Sequence, residues 1–153
     1  MKPRMLISAC LLGVNCRYDG GGKAIPAIKE LKELAELIPV CPEILGGLST
    51  PRTPSERRDG RVVAKDGGDV TDAFQRGAGE ALKLAELFGA KLALLKERSP
   101  SCGSGQIYDG SFSGGLTPGD GVTAELLKGN GIAVYGESRV QELIDMLKGG
   151  QKR

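Results

Sequence analysis

A chain of 153 residues is about one domain of sequence, and with 40% apolar residues it can bury a core without disulfides. Its 21 basic and 19 acidic residues leave a net charge of +2, too balanced for the electrostatic footprint of a nucleic-acid binder. No apolar run approaches the length of about 18 residues expected of a membrane span, and the short run after Arg4 is too brief for a secretory signal, so the expected location is the cytoplasm.

Met5–Ala9 reads as the first strand, followed by a loop over Cys10–Lys23. Ile25–Leu37 repeats apolar residues at helical spacing, with Pro26 in a first turn that tolerates a missing N–H. Ile38–Cys41 is the second strand, stopped by Pro42. Ile44–Asp59 carries Pro51 and Pro54 and reads as loop, and Arg61–Lys65 as a short edge strand with a turn at Asp66–Asp69. Thr71–Phe88 is the strongest helix, with Phe74, Ala78, Ala81, Leu82, Ala85 and Phe88 as its expected buried stripe and Gly89 as its stop. Lys91–Leu95 is the third strand. Arg98–Gly121 is a glycine-serine loop long enough to suggest a function. Thr123–Lys128, Ile132–Tyr135 and Ser138–Lys148 follow as helix, strand and helix.

Alternating strands and helices specify an α/β chain with a mostly parallel sheet. The expected architecture is an open three-layer Rossmann-like sandwich. It has about four strands, helices on both faces, a possible short edge strand and the first strand at the centre. Residues 1–150 form one expected domain and residues 151–153 a flexible tail.

Three of the four cysteines follow predicted strands: Cys10, Cys41 and Cys102. Open parallel sheets place ligands at the carboxyl ends of their strands. With no histidine in the chain, soft thiolates are left to carry any metal chemistry, and they select zinc, copper(I) or iron–sulfur clusters. Structural zinc sites favour tight C-x-x-C pairs, and this chain has none. The combination points to an iron–sulfur site, although spacing alone suits small apolar residues at strand ends equally well. Glu43, two residues past Cys41, and the hydroxyls of Ser99 and Ser101 beside Cys102 add groups able to activate a water at an open metal position. Each also has a plain alternative as a solvated loop acid or a turn cap. On Arg17-Tyr18-Asp19-Gly20, Tyr18 suits stacking on a planar ligand, with Arg17 and Asp19 at its edge; a local turn closed by an Arg–Asp pair is the simpler reading. Ser49–Arg52 and Tyr108–Phe112 are further candidates for holding a substrate.

Taken together, Ser8–Gly13 (SACLLG), Arg17–Gly20 (RYDG), Cys41-Pro42-Glu43, Gly46–Leu48, Pro51-Arg52 and Ser99–Gly103 (SPSCG) resemble the thiouracil desulfidase family over nearly the whole chain. The resemblance implies a 4Fe-4S cluster held by Cys10, Cys41 and Cys102, with one iron free of protein ligands and Cys16 outside the cluster. It implies catalytic roles for Glu43 and Ser99, with Ser101 as the competing serine, and substrate contacts from Arg17, Tyr18, Asp19 and Arg52. The implied reaction removes sulfur from a small thiopyrimidine or thionucleoside without net redox, giving uracil and hydrosulfide from thiouracil. The rival is an iron–sulfur or zinc protein with a sensing, sulfur-transfer or tRNA-thionucleoside role. The near-neutral charge offers no basic groove for the last of these.

Overall fold

The computed structural model describes residues 2–151, so Lys152 and Arg153 of the expected tail lie outside the described residues. In chain order the elements are β1 (Arg4–Ser8), α1 (Ile28–Leu34), β2 (Glu36–Val40), α2 (Pro42–Leu45), β3 (Ser55–Arg58), β4 (Arg61–Ala64), α3 (Thr71–Phe88), β5 (Leu92–Leu95), β6 (Gln106–Tyr108), β7 (Leu116–Pro118), α4 (Val122–Gly129), β8 (Ala133–Gly136) and α5 (Val140–Gln151). Single 3₁₀ turns follow β1 and β8.

Four parallel strands form the main sheet in the order β2-β1-β5-β8, so the first strand is internal, as expected. Successive residues of the inner strands feed opposite faces. Met5, Ile7 and Leu94 pack with Leu31 and Leu34 of α1 and with Leu143, Ile144 and Leu147 of α5. Leu6, Ala93 and Leu95 pack with Ala85 of α3 and with Ala124 and Leu127 of α4. Three layers result, with a helix pair on each face. A strand buried on both sides has no polar face, which is why these runs read as unbroken apolar sequence.

Several expectations are corrected. The helix read over Ile25–Leu37 is confined to Ile28–Leu34, because Ala35 is already extended (φ −147°, ψ 154°) and Glu36 and Leu37 pair with Arg4 and Met5. Strand pairing overrides helical periodicity there. β2 is an edge strand, so it is only partly buried and tolerates Pro39 in its middle. The stretch Ile44–Asp59 is not all loop, since it holds the end of α2 and all of β3. Arg61–Lys65 does not extend the main sheet; Arg61–Ala64 pairs antiparallel with β3 in a separate hairpin. Its turn is Asp59-Gly60, both at positive φ (52° and 77°), the combination favoured in two-residue hairpins. The long loop Arg98–Gly121 holds a second small hairpin, β6–β7. On α3 the buried stripe runs through Phe74, Gly77, Ala78, Ala81 and Ala85, while Phe88 is exposed.

Candidate functional site

A cavity of about 560 Å³ opens at the carboxyl ends of the sheet strands, a volume that suits a small molecule and its cofactor. Its floor follows from strand order. Cys10 lies in the 3₁₀ turn directly after β1. Cys41 is the residue that caps α2 after β2. Cys102 sits in the turn after β5, where the Gly103 N–H bonds the Ser99 carbonyl at 2.9 Å. β2, β1 and β5 are neighbours, so three chain-distant thiols reach one rim. All four cysteines are free and all line the cavity, Cys16 included. Cys16 stands beside Cys41, whose Sγ lies 3.7 Å from the Cys16 carbonyl.

The thiols interact electrostatically. Burial pushes Cys102 up to about 12, with Glu43, Cys10 and Cys41 adding to the rise and a hydrogen bond from Ser8 opposing it. Burial likewise takes Cys10 to about 11, reinforced by Cys41 and opposed by the cations Lys96 and Arg17. Cys16 is raised to about 12 by burial and then by Cys41. Left alone, these thiols hold their protons at neutral pH; a positively charged metal core supplies what is needed to release them. Among the described residues, no group of three or more Cys, Asp or Glu side chains is gathered tightly enough to hold a single metal ion. All four thiols line the one cavity, a soft donor set of the kind that binds zinc, copper(I) or iron–sulfur clusters.

Glu43 is held at this wall by local structure and by a clamp. Pro42 starts α2 without needing an N–H, and Glu43 falls in the first turn. α2 then lies directly on α3: a Cβ at Gly46 would collide with the Ala73 carbonyl, and one at Gly77 with the Pro42 carbonyl. Only glycines allow that approach. Arg52 supplies the clamp. Its Nε donates to Glu43 Oε1 at 3.1 Å, one terminal nitrogen to the Cys16 carbonyl at 2.9 Å, and the other to the Ser49 carbonyl and Thr50 Oγ1. The Arg52 side chain is only 7% exposed. It reaches the cavity, but the geometry makes it a brace for Glu43 and Cys16.

The two candidate serines part company. Ser99 lines the cavity, and its Oγ accepts the N–H groups of Ser101 and Cys102, both at 3.0 Å, which shapes the Cys102 turn. Ser101 is fully buried, 2.9 Å from Thr123 Oγ1, and is not on the cavity wall. Arg17 and Tyr18 line the cavity; Asp19 does not. Asp19 Oδ1 accepts the Gly21 N–H at 2.9 Å and Oδ2 pairs with Arg17 at 3.8 Å, so Asp19 closes the turn that presents its neighbours.

The wall includes residues that the sequence reading passed over. Ser8 ends β1 and Lys96 follows β5, and the rule that ligands gather at strand ends identifies both. Lys96 is joined to Glu137 by a 2.9 Å ion pair across the cavity edge. Glu56 of β3 and Arg98, ahead of β6, were likewise passed over, whereas Tyr108 and Phe112, from the expected Tyr108–Phe112 stretch, reach the wall on β6 and the β6–β7 turn.

A model of the 2-thiouracil desulfurase family matches residues 5–139. YbbK of Bacillus subtilis (strain 168), described as uncharacterised, is 41% identical over 150 residues, which cover 92% of this chain and 99% of YbbK. Among solved structures, the 4Fe-4S-dependent thiouracil desulfidase TudS superposes with a TM-score of 0.91 at 46% identity, covering 96% of this chain and 99% of TudS.

Proposed function

The chain belongs to the 2-thiouracil desulfurase family, and from that premise we propose that it converts a thiopyrimidine such as 2- or 4-thiouracil, with one water, to the corresponding pyrimidine and hydrosulfide. The enzyme cleaves a carbon–sulfur bond, and no electrons are gained or lost overall. The observation that carries the reading is one cavity lined by four thiols, an Arg-braced carboxylate and a serine hydroxyl, in a chain without histidine. The donor set fits a 4Fe-4S cluster, which Cys10, Cys41 and Cys102 would hold. When bound, the cluster supplies a soft Lewis acid at an iron free of protein ligands, matched to the sulfur of a thiocarbonyl rather than to a hard oxygen.

The remaining work falls to the chain. Glu43 holds a water and takes its proton as the oxygen attacks the thiocarbonyl carbon. Arg52 keeps that carboxylate aimed into the cavity. Ser99 keeps a hydroxyl proton to donate, because its oxygen already accepts two amides. It is placed to orient the same water, and Ser101, tied to Thr123 in the interior, is not. As the C–S bond breaks, the sulfur leaves as hydrosulfide with its electron pair, and the carbonyl of the product forms. Lys96 lies near enough to Cys10 to oppose its rise and faces this gathering negative charge. Arg17 and Tyr18, also on the cavity wall, offer a cation for the edge of the base and a ring for one of its two faces.

Anaerobic reconstitution with iron and sulfide, followed by a thiouracil assay at known cluster loading, tests the reading. We expect release of uracil and sulfide in equal amounts. A fully loaded protein that releases neither from 2- or 4-thiouracil would sink it.

A further inference from the structure

We propose that Phe112, held in place by the buried carboxylate of Glu56, is the aromatic wall against which the flat pyrimidine lies, with Glu56 as its positioning residue. The proposal rests on the desulfidase reading for the identity of the ring.

Three non-glycine residues among those described have a left-handed backbone: Asp59, Arg98 and Phe112 (φ 52°, 67° and 57°). Asp59 needs no special account, since with Gly60 it makes the β3–β4 turn. Arg98 and Phe112 both line the cavity. For a bulky side chain such as phenylalanine this conformation is a true outlier, because Cβ crowds the neighbouring carbonyl. A segment that had only to turn would place glycine here, and glycine is near at hand at positions 110, 114 and 115.

The surroundings impose the conformation. Glu56 is 9% exposed, and its Oε1 accepts the N–H of Gly110 at 3.0 Å and of Phe112 at 3.1 Å. Asp109 closes the same turn through the Ser111 N–H at 2.9 Å, and the Asp109 N–H bonds the Gly115 carbonyl at 3.0 Å. The carboxylate of β3 thus clamps the backbone on both sides of residue 111 and leaves the Phe112 ring at the cavity.

Packing does not explain the ring. Phe112 is half-buried and belongs to neither apolar core cluster. The chain has only six aromatic residues, and three of them, Tyr18, Tyr108 and Phe112, line this one cavity. A planar heterocycle is the ligand that such rings recognise, through stacking that does not depend on its exact substituents. Strain kept at a ligand cavity and opposed by a dedicated buried acceptor is how such sites are preorganised.

The test compares variants of reconstituted enzyme at matched cluster absorbance. Phe112→Ala and Phe112→Leu are expected to raise KM for 2-thiouracil about ten-fold, the order of one lost stacking contact, and to change kcat less. Phe112→Tyr should restore KM. Glu56→Ala should give the same rise in KM, and Glu56→Gln, which keeps a carbonyl acceptor for both amides, should recover most of it. Equilibrium dialysis of uracil, which has the ring but no sulfur to lose, supplies a second reading and should weaken in the same variants. Normal KM and uracil binding in Phe112→Leu, with an active parent enzyme, would overturn the aromatic wall and leave the desulfidase reading standing. A parent enzyme inert on thiouracil whose uracil binding still depends on Phe112 would remove the activity and keep the wall. Loss of both removes both. A rise in KM for Glu56→Ala that Glu56→Gln does not relieve would remove Glu56 from its positioning role.

Discussion

The two sides of the cavity are built on different principles. On the sheet side, Cys10, Cys41 and Cys102 hang from the ends of three adjacent parallel strands whose side chains are locked in two apolar layers. On the hairpin side, Glu56, Tyr108 and Phe112 sit on short antiparallel ribbons held by side-chain to backbone hydrogen bonds. Under the proposed ligand set and aromatic wall, the contrast is a division of labour. A cluster needs ligands at fixed separations, and close-packed strands supply that rigidity. A substrate must enter and leave, and turns set by a few polar contacts suit that.

The largest expected effects lie on the sheet side. Replacing Cys10, Cys41 or Cys102 by alanine should abolish visible cluster absorbance and take activity to background, while Cys16→Ala should retain both. Iron and sulfide counts per chain check this, and a chain that keeps its cluster without Cys41 but loses it without Cys16 would reverse the ligand choice. Glu43→Gln should leave the cluster spectrum intact and lower kcat by about 10²–10⁴, or about 3–5 kcal/mol of transition-state stabilisation. Steady-state kinetics at equal loading decides it.

Gly77→Ala comes next. It forces a methyl against the Pro42 carbonyl, so α2 must move and carry Glu43 with it. We expect a stability loss of about 1–3 kcal/mol by denaturant unfolding, with a fall in kcat besides. The smallest effect belongs to the hairpin side. Hydrogen bonds from Arg61, then Thr71, hold Asp69 well below the usual carboxylate range. A depressed folded pKa adds stability above the unfolded value of about 3.9 and loses it as pH falls below that. Asp69→Asn should therefore lower stability slightly at pH 7, where the contribution is fully present, and flatten the acid limb below about pH 4, so that the two curves converge at low pH. An unchanged acid limb would show that this exposed pair contributes nothing measurable, as many surface pairs do not.

The legibility of the site follows the same division. Cys10, Cys41, Cys102 and Glu43 could be expected at one cavity from sequence because each trails an apolar run, and a run buried on both faces is a local signal. The helix read over Ile25–Leu37 failed at its end because a spatial neighbour, β1, captured Glu36 and Leu37. Ser99 and Ser101 looked equivalent in sequence; one turn residue apart, they face the cavity and the interior. Glu56 left no trace, because β3 is polar, short and paired with a strand that itself looked like an edge.

What the residues alone determined was the class of the fold and the chemistry available: soft sulfur, one carboxylate nearby, no imidazole. All of these depend on composition and on patterns within a dozen residues. Only the tertiary structure decided that β2, β1 and β5 stand side by side, that Cys16 joins the other thiols, that Arg52 braces Glu43 and that Phe112 turns toward the cavity. Each of those is a contact between segments far apart in the chain. Such contacts arise from the whole packing of two layers on a sheet, and no short stretch of sequence encodes them.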